Sequence, residues 1–310
     1  MTKNIGIDIS KETLDAYRTD DGAYSQFQNN NKGRRALLRW IGDKVNLVVF
    51  EATGAYHRGL EVDLADAPVP FAKVNPKQAR RFAQAIGKLA KTDRVDAAML
   101  AKMGAALDLS PQTPATTELH DMRELLAARR ALIKDQTAAR TRLATASVGS
   151  VQTILKRRLR QIAKDIEQID EALRNLSDLD ATFGRKVAIL ASIPGIGQLT
   201  AITLLIDMPE IGSMDNKQAA SLAGLAPVSQ SSGKWQGKER IQGGRAQLRK
   251  ALYMPALVAT RVNPDMTRKY HQLIGAGKQK KVALTAIMRK LLVMANALLR
   301  GNRMWTENRP

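Results

Sequence analysis

The chain has 310 residues, 44% of them hydrophobic and 4% aromatic, and no cysteine. Lys and Arg number 49 against 29 Asp and Glu, which gives a formal charge of +20 and a pI near 10.3. This balance excludes a disordered chain and a disulfide-built scaffold, and it points to a polyanionic partner, nucleic acid ahead of an anionic membrane. No apolar run approaches the ~20 residues of a membrane span, and the first residues lack a signal-peptide core. A cytoplasmic, nucleoid-associated location fits these features. His57, His120 and His271 are the only histidines and they are scattered. That argues against zinc and against histidine as a general base, so any metal should be a hard ion held by carboxylates.

Residues 4–9 read as a buried strand with Asp8 between Ile7 and Ile9. A carboxylate there loses hydration, at a cost that a metal, a cation or hydrogen bonds must offset. Strands are expected at 13–19 and 23–28, joined by Asp20-Asp21-Gly22, whose Asp-Gly pair signals a tight turn. Residues 32–43 put Leu37, Leu38 and Ile41 on one helical face. Residues 45–50 form a strand by composition and deliver Glu51 at its C-terminal end. Ala52-Thr53-Gly54 then turns the chain toward a helix near 56–64. A strand at 69–74 ends at Asn75-Pro76, and Pro76 suits a first helical turn. The last helix of this third starts near Lys91-Thr92-Asp93-Arg94-Val95-Asp96 and runs through alanine-rich 97–106.

This order predicts an α/β sheet whose first three strands form an antiparallel meander. Ligands of such sheets gather at strand C-terminal ends, where Asp8 and Glu51 fall. Asp93 and Asp96, three residues apart, share a helix face. Four carboxylates brought together need counter-ions, and two Mg²⁺ ions (or Mn²⁺) about 3.5–4 Å apart would supply them. Each acid also has a plain explanation: Asp8 as a turn cap, Glu51 as a solvated strand end, Asp93 and Asp96 as first-turn acids behind the N-cap Thr92. One metal site accounts for all four at once.

Pro111 and Pro114, among Ser and Thr, mark a linker at 109–117. Residues 120–146 then read as a helix, with a break near 147–150. Beyond it Leu155, Leu159, Ile162, Ile166, Ile169, Leu173 and Leu176 keep a coiled-coil spacing, with Arg157, Arg158, Arg160 and Lys164 off the seam. That pattern suits an intramolecular hairpin, an oligomer contact or an RNA-binding arm. Pro194-Gly195-Ile196-Gly197 sits between helical patterns at 186–191 and 199–206, the shape of a helix-hairpin-helix that holds phosphate on backbone amides at Gly195 and Gly197. A plain helical turn is the other reading. From Ser232 to the end there are 17 Lys and Arg against three acids, Glu239, Asp265 and Glu307. Lys234, Arg240, Arg245, Arg249 and Lys250 open this stretch as candidate phosphate contacts. A serine in a cationic glycine-rich loop can act as a phosphoryl-transfer nucleophile, although Ser/Gly composition by itself signals only a flexible loop.

Three blocks, Ile5-Gly6-Ile7-Asp8, Phe50-Glu51-Ala52-Thr53-Gly54 and Lys91-Thr92-Asp93-Arg94-Val95-Asp96-Ala97, resemble the signature of the DEDD-type insertion-sequence transposases. This is the "IS one-ten" family of bridge-RNA-guided recombinases, related to the Piv-type DNA invertases. The resemblance extends from Lys3 to about Leu299. It implies a RuvC-like N-terminal domain of RNase H fold in which Asp8, Glu51, Asp93 and Asp96 are the acidic tetrad. Ala223-Gly224-Leu225-Ala226-Pro227 and Leu248-Arg249-Lys250-Ala251-Leu252-Tyr253-Met254-Pro255 are similar to the family's transposase domain, and the match places the nucleophile at Ser232, with Ser231 the alternative. The loop departs from the commoner family pattern: it is slightly short and Trp235 intrudes.

The expected architecture is α/β plus α: a RuvC-like DEDD domain at 1–110, a linker and coiled-coil helices at 111–182, and a basic, mostly helical transposase domain at 183–310. The expected activity is Mg²⁺-dependent DNA strand cleavage and exchange through a covalent phosphoserine. The partners implied are DNA at the element ends and target, a structured non-coding guide RNA, and further copies of the chain as dimer or tetramer, with no membrane. The alternative is a metal-dependent, structure-selective nuclease resembling a Holliday-junction resolvase, with no covalent intermediate. A non-enzymatic architectural binder and, from the Ile-Gly-Ile-Asp strand, an actin-like ATPase stand further back.

Overall fold

The structure, a computed structural model, describes residues 3–52, 54, 56–87, 92–114, 116–229, 231–232, 235–237 and 239–307, with backbone alone for 231, 232, 235 and 236. The chain divides into two compact units, Met1–Ala115 and Thr116–Pro310.

The first unit is built on a five-stranded sheet in the order β3-β2-β1-β4-β5. Its strands are β1 (Asn4–Ile9), β2 (Thr13–Arg18), β3 (Tyr24–Gln28), β4 (Leu47–Glu51) and β5 (Phe71–Val74). β1 to β3 are the expected antiparallel meander; β4 joins β1 in parallel and β5 joins β4 in parallel. The alternation of side chains along each strand divides the core. Ile5, Ile7, Leu14, Val48, Phe50 and Phe71 pack on one face against Leu37 and Ile41 of α1 (Asn31–Ile41) and Leu60 and Leu64 of α2 (Arg58–Asp66). Leu47, Val49, Ala72 and Val74 pack on the other against α4 (Asp93–Ala106) through Leu100 and Met103, with Ala79 and Phe82 of α3 (Pro76–Ala85) beside them. Thr92 caps α4, its side chain accepting from the Val95 amide, as the sequence suggests.

α4 lies directly on β1. A Cβ at Gly6 would stand 2.0 Å from the Ala97 carbonyl oxygen and 2.4 Å from the Ala101 nitrogen, so no larger residue fits between strand and helix. The open edge of β5 is closed by a loop residue. The Gln112 amide donates to the Phe71 carbonyl, and its side chain bonds both the Lys73 amide and carbonyl.

The second unit opens with two long helices, α5 (Thr117–Thr145) and α6 (Gly149–Leu179), which fold back on each other. All seven apolar residues of the spacing read in the sequence are buried or half-buried, and the four off-seam cations are exposed. Arg129 and Asp170 pair across the helices. Next come α7 (Ala181–Ala191), α8 (Gln198–Asp207) and α9 (Asn216–Leu222), then α10 (Ala246–Val262), α11 (Pro264–Gly275) and α12 (Lys280–Arg300). Their apolar faces share one core with the base of the α5–α6 pair. One sequence expectation is amended here. α12 does have the length and mean hydropathy, 1.7, of a membrane span despite Arg289 and Lys290, but half of that stretch is buried inside the unit, with Ile287, Leu291 and Ala295 in its core.

The contact at Gly6 makes a direct prediction. Gly6→Ala must lift α4 from β1, an overpacking cost of about 2 kcal/mol. Hydrogen exchange of the 93–106 peptide should then run roughly 30-fold faster than in the wild type. Unchanged exchange would mean that α4 is not seated at Gly6.

Candidate functional site

The same alternation that buries Ile5, Ile7 and Ile9 turns Asp8 to the α4 face. In the parallel pairing Ile7 aligns with Phe50, so Asp8 and Glu51 follow as the next residues of adjacent strands, both at C-terminal ends. α4 brings Asp93 and Asp96 in its first turn. The sheet and one helix thus direct all four predicted acids to one end of one face. Asp8, Glu51 and Asp96 are half-buried and Asp93 is exposed.

Electrostatics shows two of the other acids acting on Asp8. Burial pushes the Asp8 carboxyl up to about 6, and the negative charges of Asp96 and then Asp93 push it the same way. The donor set is hard oxygen without histidine or cysteine, the chemistry of Mg²⁺ or Mn²⁺ rather than zinc. Among the described residues no three acidic or histidine side chains are close enough to hold one ion between them. The residues therefore fit a hard divalent cation in kind and in charge, without forming a closed ligand shell.

A fifth carboxylate lies beside this group and was not singled out in the sequence. Asp15 stands directly opposite Asp8 in the β1–β2 ladder and is only 2% exposed. It accepts hydrogen bonds from the Tyr24 hydroxyl, from Gln26 Nε2 at 2.9 Å and from Thr13 Oγ1 at 3.3 Å. The bond to Asp15, burial and the charges of Asp15 and Asp93 push the Tyr24 hydroxyl up to about 12, so it keeps its proton. The signal available was the turn at Ser10–Thr13: residues equidistant from it pair, and that arithmetic sets Asp15 against Asp8. On the opposite face of the sheet, a buried pair supports the strand that carries Glu51. Glu61, 1% exposed, accepts from Lys73 Nζ at 2.6 Å, with His57 Nε2 at 3.7 Å, and Lys73 aligns with Phe50.

In the second unit, the residues around the predicted nucleophile form a small β arm rather than an unstructured loop. β6 (Pro227–Val228) pairs with β9 (Arg240–Ile241), and β7 (Ser231–Ser232) pairs with β8 (Trp235–Gln236), Ser232 opposite Trp235. Gly233, Lys234 and Lys238 lie outside the described residues, as do Thr53 and Lys91 of the acidic motifs. The base of the arm is tightly crossed. Gly224 and Gly244 both have positive φ, and a Cβ on Gly244 would stand 2.2 Å from the Gly224 nitrogen.

Two of the candidate phosphate contacts are engaged inside this unit. Arg249 Nη1 donates to the Ala223 and Gly243 carbonyls, tying the two ends of the arm together. Arg245 holds Glu210 through two bonds of 2.8 and 2.7 Å and the Asp207 carbonyl at 2.8 Å. Burial pushes the Glu210 carboxyl up, but the Arg245 bonds and charge outweigh it and leave it below the ordinary range. Arg240 and Lys250 are exposed. At the α7–α8 turn, Ile193 and Ile196 are buried, and a Cβ on Gly195, φ 104°, would stand 2.8 Å from that of Ala259. Gly197 is exposed at the start of α8, with open space around it and no side-chain cap.

Comparison with known proteins agrees with both halves of this arrangement. Residues 5–146 match the sequence model of the DEDD transposases of IS110 type, and residues 187–272 match that described as "Transposase IS116/IS110/IS902 family". The chain is 32% identical over 314 residues to the pilin gene-inverting proteins of Moraxella lacunata and Moraxella bovis, covering 96% of each chain. It is 31% identical over 124 residues to an insertion element IS110 protein of 43.6 kDa from Streptomyces coelicolor, covering 39% of this chain and 31% of that one. With its acids gathered at one end of a mixed sheet and its serine on an arm of a helical unit, the chain belongs to the IS116/IS110/IS902 family of transposases, the DNA recombinases of insertion sequences.

Proposed function

We propose that the protein cuts and rejoins DNA through a covalent phosphoserine at Ser232, with Mg²⁺ or Mn²⁺ held by Asp8, Glu51, Asp93 and Asp96. The observation that carries the metal half is the charge effect of Asp96 and Asp93 on Asp8 at one end of one sheet face. A divalent cation bound there supplies a Lewis acid that polarises the scissile phosphate and stabilises the leaving oxygen. Ser232 Oγ attacks the phosphorus, and its proton passes to solvent. An Oγ–P bond forms, the P–O3′ bond breaks, and the 3′-oxygen departs and is protonated to a hydroxyl. Attack by a second strand's 3′-hydroxyl on the phosphoserine reverses these events and restores the serine. Bond count is conserved throughout, so the exchange needs no nucleotide energy source.

The basic C-terminal quarter supports backbone binding, through Arg240, Lys250 and Lys234, with Gly195 and Gly197 of the α7–α8 turn acting as a helix-hairpin-helix. Arg245 and Arg249 serve this reading by fixing the base of the arm that carries Ser232. The α5–α6 pair would act as a coiled-coil arm that assembles copies of the chain, so that acids and serine of one site can come from different subunits. A structured non-coding RNA of the element selects the DNA, which the family resemblance and the low aromatic content favour over base reading by the protein itself.

Two experiments test these halves. The protein, with its co-purified RNA, is incubated with junction DNA and Mg²⁺, denatured and run on a gel. A protein–DNA band is expected for the wild type, lost in Ser232→Ala and lost on chelation. Free cleavage products without a band would replace this reading by the resolvase-like nuclease. The second is melting temperature against pH in EDTA. The folded Asp8 pKa, about 6, lies above its ordinary 3.8. Its charge therefore costs nothing below pH 3.8, and the cost grows through that interval and is complete above about pH 6. After screening at this half-exposed site, the cost is about 1 kcal/mol. Asp8→Asn should melt higher than wild type above pH 6 and equally near pH 4. Adding Mg²⁺ should raise the wild type and not the variant; no Mg²⁺ effect on the wild type sinks the metal site.

A further inference from the structure

The acidic residues come from two separate pieces of the first unit, and one side chain touches both. Asp8 lies on β1, backed across the ladder by Asp15 on β2. Asp93 and Asp96 lie in the first turn of α4 with Arg94 between them. Tyr24, on the edge strand β3, hydrogen-bonds Asp15 through its hydroxyl, while the Arg94 guanidinium carbon sits 5.5 Å from the centre of its ring.

We propose that Tyr24 is a positioning residue that joins the β1–β2 half of the acidic site to its α4 half, fixing the distance between Asp8 and the Asp93–Asp96 pair through Asp15 and Arg94. The inference rests on the reading of the tetrad as a divalent-cation site. Two features give it physical weight. Asp15 is buried, no cation among the described residues pairs with it, and its three hydrogen bonds hold the carboxylate at one fixed place on the α4 face. Tyr24 supplies one of the three and also reaches α4 through Arg94. Arg94 is exposed and belongs to the turn that carries both helical acids, so its stacking over the ring restrains the rotation of that turn. Gly6 seats α4 further along the helix, at Ala97 and Ala101. Leu100 and Met103 pack it on the sheet further on still, and the Tyr24–Arg94 contact adds an attachment at the turn that carries the acids.

Residues that orient metal ligands without touching the metal change affinity roughly 10–100-fold when removed. The test is Mn²⁺ binding by the full-length protein, followed by the electron paramagnetic resonance of free Mn²⁺ in the absence of DNA, beside circular dichroism melting. Tyr24→Phe keeps the ring over Arg94 and loses the bond to Asp15; Tyr24→Leu loses both. Apparent Kd should rise in the order wild type, Tyr24→Phe, Tyr24→Leu, with the last roughly ten-fold weaker. Tyr24→Phe loses one bond to a buried carboxylate and should melt a few degrees lower, so Kd is read at a temperature at which every variant is fully folded, which separates positioning from general destabilisation. Equal Kd for all three proteins, with the wild type still binding Mn²⁺ and Asp8→Asn not, overturns the role of Tyr24 and leaves the metal site standing. Failure of the wild type to bind Mn²⁺ overturns the metal reading itself, and this inference with it.

Discussion

The absence of a side chain at Gly6 governs the first unit. With the Ala97 carbonyl 2.0 Å from where a Cβ would be, α4 rests on the backbone of β1 itself. Side-chain layers normally hold helix and sheet about 10 Å apart. Removing that layer at one point draws the N-terminal turn of α4 down to the ends of β1 and β4. Asp8, two residues past Gly6, and Asp96, one residue before Ala97, become neighbours as a result. A motif that reads as four residues, Ile-Gly-Ile-Asp, is thus two devices: isoleucines that fasten the strand to α1 and α2, and a glycine that lets the acid meet its partners.

The serine unit solves a different mechanical problem. An arm of paired two-residue strands has little stability of its own, since a short isolated hairpin is marginal in water. Its position is set at the base, where Gly224 and Gly244 cross and Arg249 bonds both ends. Arg245 anchors the next turn to Glu210 and to the end of α8. The arm is thus fastened at its base and only lightly paired beyond it.

Much of the first unit was legible because period and burial coincide there. The strands at Asn4–Ile9 and Leu47–Glu51 and the helix after Thr92 follow from alternation, apolar runs and a cap, and they carry the acids with them. Asp15 and Tyr24 were not legible in the same way. Their importance comes from cross-strand pairing, and β2 and β3 show mixed polarity because their α4 face is polar. The serine arm escaped notice since two-residue strands leave no periodic trace. Arg245 and Arg249 looked like phosphate contacts in a row of cations. Their partners are Glu210, 35 residues back, and carbonyls in the arm, and nothing in local sequence announces an ion pair at that separation.

The charge distribution argues that the acids are kept for function rather than for folding. In a chain of +20, abundant cations could have neutralised Asp8, yet its carboxyl is raised by burial and by Asp96 and Asp93. Glu61, a buried acid on the opposite face of the same sheet, does have a cation, Lys73. The C-terminal quarter is strongly basic, whereas clustered carboxylates repel a polyanion. An acidic end of the sheet that costs stability and repels a polyanion is consistent with the function proposed above, in which a divalent cation would stand between carboxylate and phosphate and reverse the sign of the interaction. Tyr24 fits the same logic, since it holds Asp15 beside Asp8 as a neutral donor while the charge of Arg94 is kept on its ring.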